Sequence, residues 1–157
     1  MAKEEKTNVM RVLEQKKINF QVHCYVETGK VNGMEVAEEL GQDPNCVFKT
    51  LVTIGASKKN YVFVVPVNME LNLKKAAKVV GEKSIAMIKS KELLPLTGYI
   101  HGGCSPIGMK KFFQTTIHET AKDKETICVS GGKIGYQVQI SPDDLGKVIR
   151  FEYADIV

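Results

Sequence analysis

The chain has 157 residues, 43% hydrophobic and 25% charged, the size and composition of one soluble globular domain, with no stretch near the roughly 18 apolar residues a membrane-spanning helix needs. Its net charge of +4 and pI near 8.8 admit a polyanionic partner without establishing one. Cys24, Cys46, Cys104 and Cys128 stand singly, with no C-x-x-C pair and no histidine at ligand spacing, so neither a zinc site nor a redox motif is expected and the thiols read as reduced and mostly buried.

Met1 to Lys6 runs straight into charge without an apolar leader region, so a cytoplasmic location is the expectation. Thr7 caps a predicted helix in which Val9, Val12 and Leu13 form an apolar stripe, and a strand from Phe20 to Tyr25 follows. Met34 to Leu40 reads as a short helix closed by Gly41, and Pro44 forbids its continuation. Val47 to Ile54 and Tyr61 to Val67 are β-branched and aromatic runs around a six-residue polar loop, the pattern of a hairpin. Leu73 to Val80 predicts a helix with a cationic outer face that stops at Gly81, and Ile85 to Met87 a short strand.

Ser90 to Leu94 predicts one helical turn ended by Pro95, after which Gly98-Tyr99-Ile100 leads as a strand into a glycine-rich loop, Gly102-Gly103-Cys104-Ser105-Pro106-Ile107-Gly108. Phe112 to Ile117 returns as a strand. Thr126 to Val129 enters a second glycine-rich loop, Ser130-Gly131-Gly132-Lys133, and Tyr136 to Ile140 leaves it. Ser141-Pro142-Asp143-Asp144 then carries the cap, N1 proline and first-turn acids of a helix start. About seven strands and four or five helices, without βαβ alternation, predict a single mixed α/β domain over residues 1–157. Its mixed sheet is expected to be barrel-like, with helices packed outside.

Glycine removes the side chain where backbone must approach a ligand, so two such loops between Gly102 and Lys133 point to one site. The phosphate-loop reading fails, because Met109 and Lys110 follow Gly108 where that loop needs Lys and then Ser or Thr; no G-x-G-x-x-G opens a helix after the first strand either. Lys49 interrupts an apolar strand. It is either an edge lysine reaching outward or a cation aimed into a cleft at a carbonyl, carboxylate or phosphate. Tyr25, at the end of the first strand, is either a core aromatic or a polar wall of that cleft. His23, His101 and His118 have no serine or cysteine partner at a nucleophile elbow, and Cys104 carries no sign of an activated thiol.

Together, Val47-Phe48-Lys49-Thr50-Leu51, Leu73 with Lys75-Ala76-Ala77, Gly98-Tyr99 with the Gly102 to Gly108 loop, and Ser130-Gly131-Gly132-Lys133 resemble, in order and spacing, the YbaK/EbsC aminoacyl-tRNA editing proteins. The similarity runs from about Thr7 to Ile156. It implies the editing-domain fold and a free-standing deacylase that removes cysteine from Cys-tRNA(Pro), working transiently beside prolyl-tRNA synthetase, with no cofactor, metal or membrane. It implies Lys49 as the catalytic residue and a substrate-binding set of Tyr25, Thr50, Gly102, Gly103, Ser105, Pro106, Ser130, Gly131, Gly132 and Gln137. The last is a departure, since many relatives have an aspartate there and a carboxamide cannot act as acid or base. The mechanism implied is attack by the substrate cysteine's own thiol on its ester, with backbone N–H groups around Gly102 stabilising the oxyanion. A non-catalytic module that holds aminoacyl-tRNA or synthetase, and a deacylase for another small amino acid such as alanine, stand as alternatives.

Overall fold

The computed structural model describes residues 6–157 and contains five α-helices and eight strands in two sheets. The opening segment read as lacking a leader lies, but for Lys6, outside the described residues. No helix among the described residues is long and apolar enough to cross a membrane.

Local signals place most elements. Thr7 Oγ1 accepts from Met10 N to cap α1 (Asn8–Gln15), and Val9, Met10 and Leu13 enter the core. Asn32 and Asn72 cap α2 (Gly33–Glu39) and α3 (Leu73–Val80) in the same way, each accepting from two backbone amides. The hairpin is β2 (Phe48–Gly55) with β3 (Asn60–Pro66), in register from Phe48 opposite Pro66 to Ile54 opposite Asn60. Ser141 caps α5 (Pro142–Val148), with proline at its first position.

Two sheets share the main core. The smaller has the order β1 (Gln21–Cys24), β7 (Tyr136–Ile140), β6 (Ile127–Ser130) and is wholly antiparallel. The larger is ordered β4 (Ile85–Met87), β2, β3, β5 (Gln114–His118), β8 (Glu152–Ala154), with β3–β5 and β5–β8 parallel. Phe48, Val52, Val62, Val64 and Ile117 of the larger sheet pack with Val129, Val138 and Ile140 of the smaller one in a single cluster under α1.

The expected barrel-like sheet does not form. Among the described residues, one isolated parallel bridge, Val47 to Cys128, joins the two sheets by backbone. Because β4 pairs with β2 only from Thr53 to Gly55, residues 48–52 of β2 are left without a strand on that edge. This open edge positions the site described below.

A second correction concerns Pro95. It sits inside α4 (Ser90–Thr97) instead of ending it, and Gly98 caps the helix, so Gly98-Tyr99-Ile100 is not a strand. In an eight-residue helix few amides have an intrahelical acceptor, and proline forfeits only one such bond. Leu94 O still accepts from Gly98 N, and Leu93 O from Thr97 Oγ1.

Candidate functional site

The gap between the sheets is a cavity of about 660 Å³, within the range of small-molecule sites. Its floor is the edge of β2 from Phe48 to Val52, where Val52 O still accepts from Ile88 N; Ser130 and Gln137 of the small sheet form one wall, and the start of α2 and the β4–α4 turn form others. The first glycine loop contributes Gly102 and Cys104. Of the residues expected at the site, Tyr25, Lys49, Thr50, Gly102, Ser130 and Gln137 are brought together here.

Gly103, Ser105, Pro106, Gly131 and Gly132 do not line it; they build the two loops behind it. A Cβ on Gly103 would lie 3.1 to 3.2 Å from the Lys133 and Ile134 backbone, so the loops pack main chain against main chain. Gly103 N donates to Ile100 O, Gly131 N to Tyr136 O and Gly132 N to Ser130 Oγ, and Ser105 Oγ accepts from Ile107 N. Those three glycine N–H groups are thus spent on holding loop shape, which narrows the candidate oxyanion donors to Gly102 and Cys104.

Of Gly103, Gly131 and Gly132, only Gly132 has a left-handed backbone. Its φ is +96°, and a Cβ there would lie 2.9 Å from Val9 Cγ2 and 3.4 Å from Tyr99 Cε1. Backbone strain and overpacking each cost about 1–3 kcal/mol, so Gly132→Ala is expected to destabilise by about 2–4 kcal/mol. For a chain of this size that lowers Tm by roughly 5–12 °C, measured by thermal unfolding; an unchanged Tm would show that the loop is not held as described.

Lys49 is one of two lysines that line the cavity. Its Nζ lies 3.3 Å from Glu70 Oε1, and the two side chains are 29% and 92% exposed. A pair with one member so fully in water contributes little, so the ammonium remains available to a ligand. Thr50, the next residue of β2, also lines the cavity, and its Oγ1 is buried without a hydrogen-bond partner.

Gln137, 4% exposed, is held by a residue that no motif singles out. Gln42 Nε2 donates to Gln137 Oε1 at 2.6 Å, and Gln137 Nε2 donates back to Gln42 Oε1 at 3.2 Å. The reciprocal bonds fix the carboxamide where many relatives carry a carboxylate. Gln42 follows α2 in an irregular stretch, so only the folded chain brings it to β7.

Two lysines, Lys49 and Lys89, and one histidine, His101, line the cavity, and no aspartate or glutamate does. Burial pushes the Cys104 thiol up to about 12, so its thiolate fraction near neutral pH is negligible. Among the described residues no histidine hydrogen-bonds a serine or cysteine: His23 pairs with Gln139, and His118 Nδ1 accepts from Ile156 N. The site therefore holds cations, hydroxyls and amides and presents no activated protein nucleophile. Cys104→Ala is expected to retain turnover within about twofold in a deacylation assay; loss of activity would restore the thiol as a reacting group.

The family model of the aminoacyl-tRNA editing domain matches residues 31–148. A protein of Enterococcus faecalis named "Putative Cys-tRNA(Pro)/Cys-tRNA(Cys) deacylase EbsC" is 42% identical over 98% of this chain and 94% of its own length. A crystal structure titled as a putative trans-editing enzyme for prolyl tRNA synthetase superposes with a TM-score of 0.81 at 23% identity, over 95% of this chain and 94% of that one. A hypothetical protein of known structure superposes at 0.84 with 19% identity, over 95% and 98%. At these identities the two structures show the shared fold.

Proposed function

The chain belongs to the aminoacyl-tRNA editing domain family, and we propose that within it the chain is a trans-acting deacylase that clears cysteine from Cys-tRNA(Pro). The whole chain, 1–157, acts as one editing domain in the cytoplasm, meeting prolyl-tRNA synthetase only transiently. The observation that carries this reading is the cavity's chemistry: cations and hydrogen-bonding groups around about 660 Å³, with no serine or cysteine activated by a histidine among the described residues.

Such a site suits a substrate that carries its own nucleophile. The cysteine sulfur bonds to the ester carbonyl carbon, the bond from that carbon to the ribose oxygen breaks, and the thiol proton passes to the departing ribose oxygen. Water then opens the cyclic thioester to free cysteine. Lys49 holds the carbonyl oxygen as it gains charge, Thr50 and the N–H groups of Gly102 and Cys104 complete the cradle, and Tyr25 with the clasped Gln137 forms the wall against the aminoacyl side chain. Holding thiol and carbonyl together contributes through proximity, and the cation and donors contribute through preorganised charge.

Deacylation of Cys-, Ala-, Ser- and Pro-tRNA by the purified chain tests the assignment. Cysteine is expected to be released well above the buffer rate and the others near it. Release of every amino acid at the buffer rate would make the chain a binding module, and a preference for alanine would remove the thiol from the mechanism.

A further inference from the structure

A second concavity borders the same glycine loop. Cys104 lines the reaction cavity and Pro106 lines a groove of about 470 Å³; two residues apart, their Cα atoms are separated by at most about 7.6 Å. The groove runs between the segment after the loop, with Lys111, Phe112 and Phe113, and the residues ending α5, with Ile149 and Arg150. Its loop wall is pinned, because Asn8 Nδ2 donates to Gly108 O at 3.1 Å and Tyr99 OH to Ile107 O at 2.5 Å.

Three features identify the occupant. Phe112 is 67% exposed, more than any other large apolar side chain among the described residues, a ring face left in water. Lys111 and Arg150 are exposed and have no carboxylate partner among the described residues. No acidic residue lines the groove, and the hydroxyl of Thr115 is turned to Phe113 O, which leaves little to read the edge of a base. A flat apolar ring flanked by free cations is the recognition chemistry of an unpaired nucleotide: the base stacks and the phosphate is neutralised, without sequence preference.

We propose that this groove is an RNA-contact surface that takes an unpaired nucleotide of the aminoacyl-tRNA, its base on Phe112 and its phosphate on Lys111 and Arg150. The proposal rests on the reading of the chain as acting on aminoacyl-tRNA. Continuity supports it, because one loop walls both concavities, with Cys104 in the cavity and Pro106 in the groove. Contact here adds affinity for the RNA and leaves discrimination between amino acids to the cavity.

The test is binding of uncharged tRNA(Pro) as a function of salt. Phe112→Ala is expected to weaken Kd about tenfold and Phe112→Tyr to restore it, since either ring stacks. The double variant Lys111→Ala with Arg150→Ala, which removes both cations from the one phosphate, is expected to reduce the slope of log K against log salt by about one. All three side chains are exposed, so Tm should not move. With Cys-tRNA(Pro), Phe112→Ala should raise KM by the same factor at unchanged kcat. Affinity and salt slope that ignore these substitutions would overturn the groove. Uncharged tRNA needs no turnover to bind, so a wild-type chain that binds it through these residues but fails to deacylate would count against the deacylase reading alone.

Discussion

Lys49→Ala is expected to lower kcat/KM for Cys-tRNA(Pro) deacylation by on the order of a hundredfold to a thousandfold, with the fold intact. The magnitude follows from the lysine's position. It stands on the unpaired edge of β2, in a cavity lined by no carboxylate, where the negative charge of a tetrahedral intermediate has few other partners. Removing one preorganised donor to an oxyanion typically costs about 10²–10³ in rate, because water in the vacated space must reorganise as the charge develops. Stability should barely respond: the ion pair given up has a carboxylate 92% exposed, and pairs in water contribute at most about 1 kcal/mol. Lys49→Arg should recover part of the loss, since a guanidinium keeps the charge but spreads it over a plane. Single-turnover rates for the three proteins, with thermal unfolding alongside, measure this. If Lys49→Ala turned over within a few-fold of wild type, the oxyanion would have to be held by the loop amides alone.

What the sequence made legible and what it hid divide along the range of the interactions. The caps at Thr7 and Ser141, the β2–β3 hairpin and the helix ending before Gly81 were readable because each depends on residues a few positions apart. The parallel pairing of β3 with β5 joins segments about fifty residues apart, and β8 is three residues long, so neither leaves a local signature. The closed sheet was a wrong expectation for the same reason: whether β2 meets β6 along its length or at one bridge is decided by packing between distant segments.

The site divides in the same way. Lys49 was visible as a charge in an apolar strand, and both readings of it meet in the structure, since it stands on an unpaired stretch of strand edge and that edge faces a cleft. The glycine loops were visible too, but glycine marks close approach without saying to what, and here much of the approach is of one loop to the other. The Gln42–Gln137 clasp was not visible, because its two amides lie 95 positions apart and, although the resemblance marks Gln137, Gln42 belongs to no motif.

The largest effect is expected from the substrate. With the Cys104 thiol held near 12 and no serine or cysteine activated by histidine among the described residues, the proposed mechanism makes the acceleration depend on the thiol of the bound aminoacyl group. A free thiol with a pKa near 8.5 is a few per cent thiolate at neutral pH and strongly nucleophilic, whereas a serine hydroxyl of the same length is almost wholly protonated and has no base beside it here. Swapping sulfur for oxygen in the substrate leaves its shape nearly unchanged and removes the reaction path. The decisive measurement is therefore the single-turnover rate of the wild-type chain on tRNA(Pro) carrying cysteine and on the same tRNA carrying serine. Cysteine released at least on the order of a hundredfold faster than serine, with serine near its rate in buffer, is the predicted result. Equal enzymatic acceleration of the two esters would contradict it and return the search to a nucleophile or base supplied by the protein.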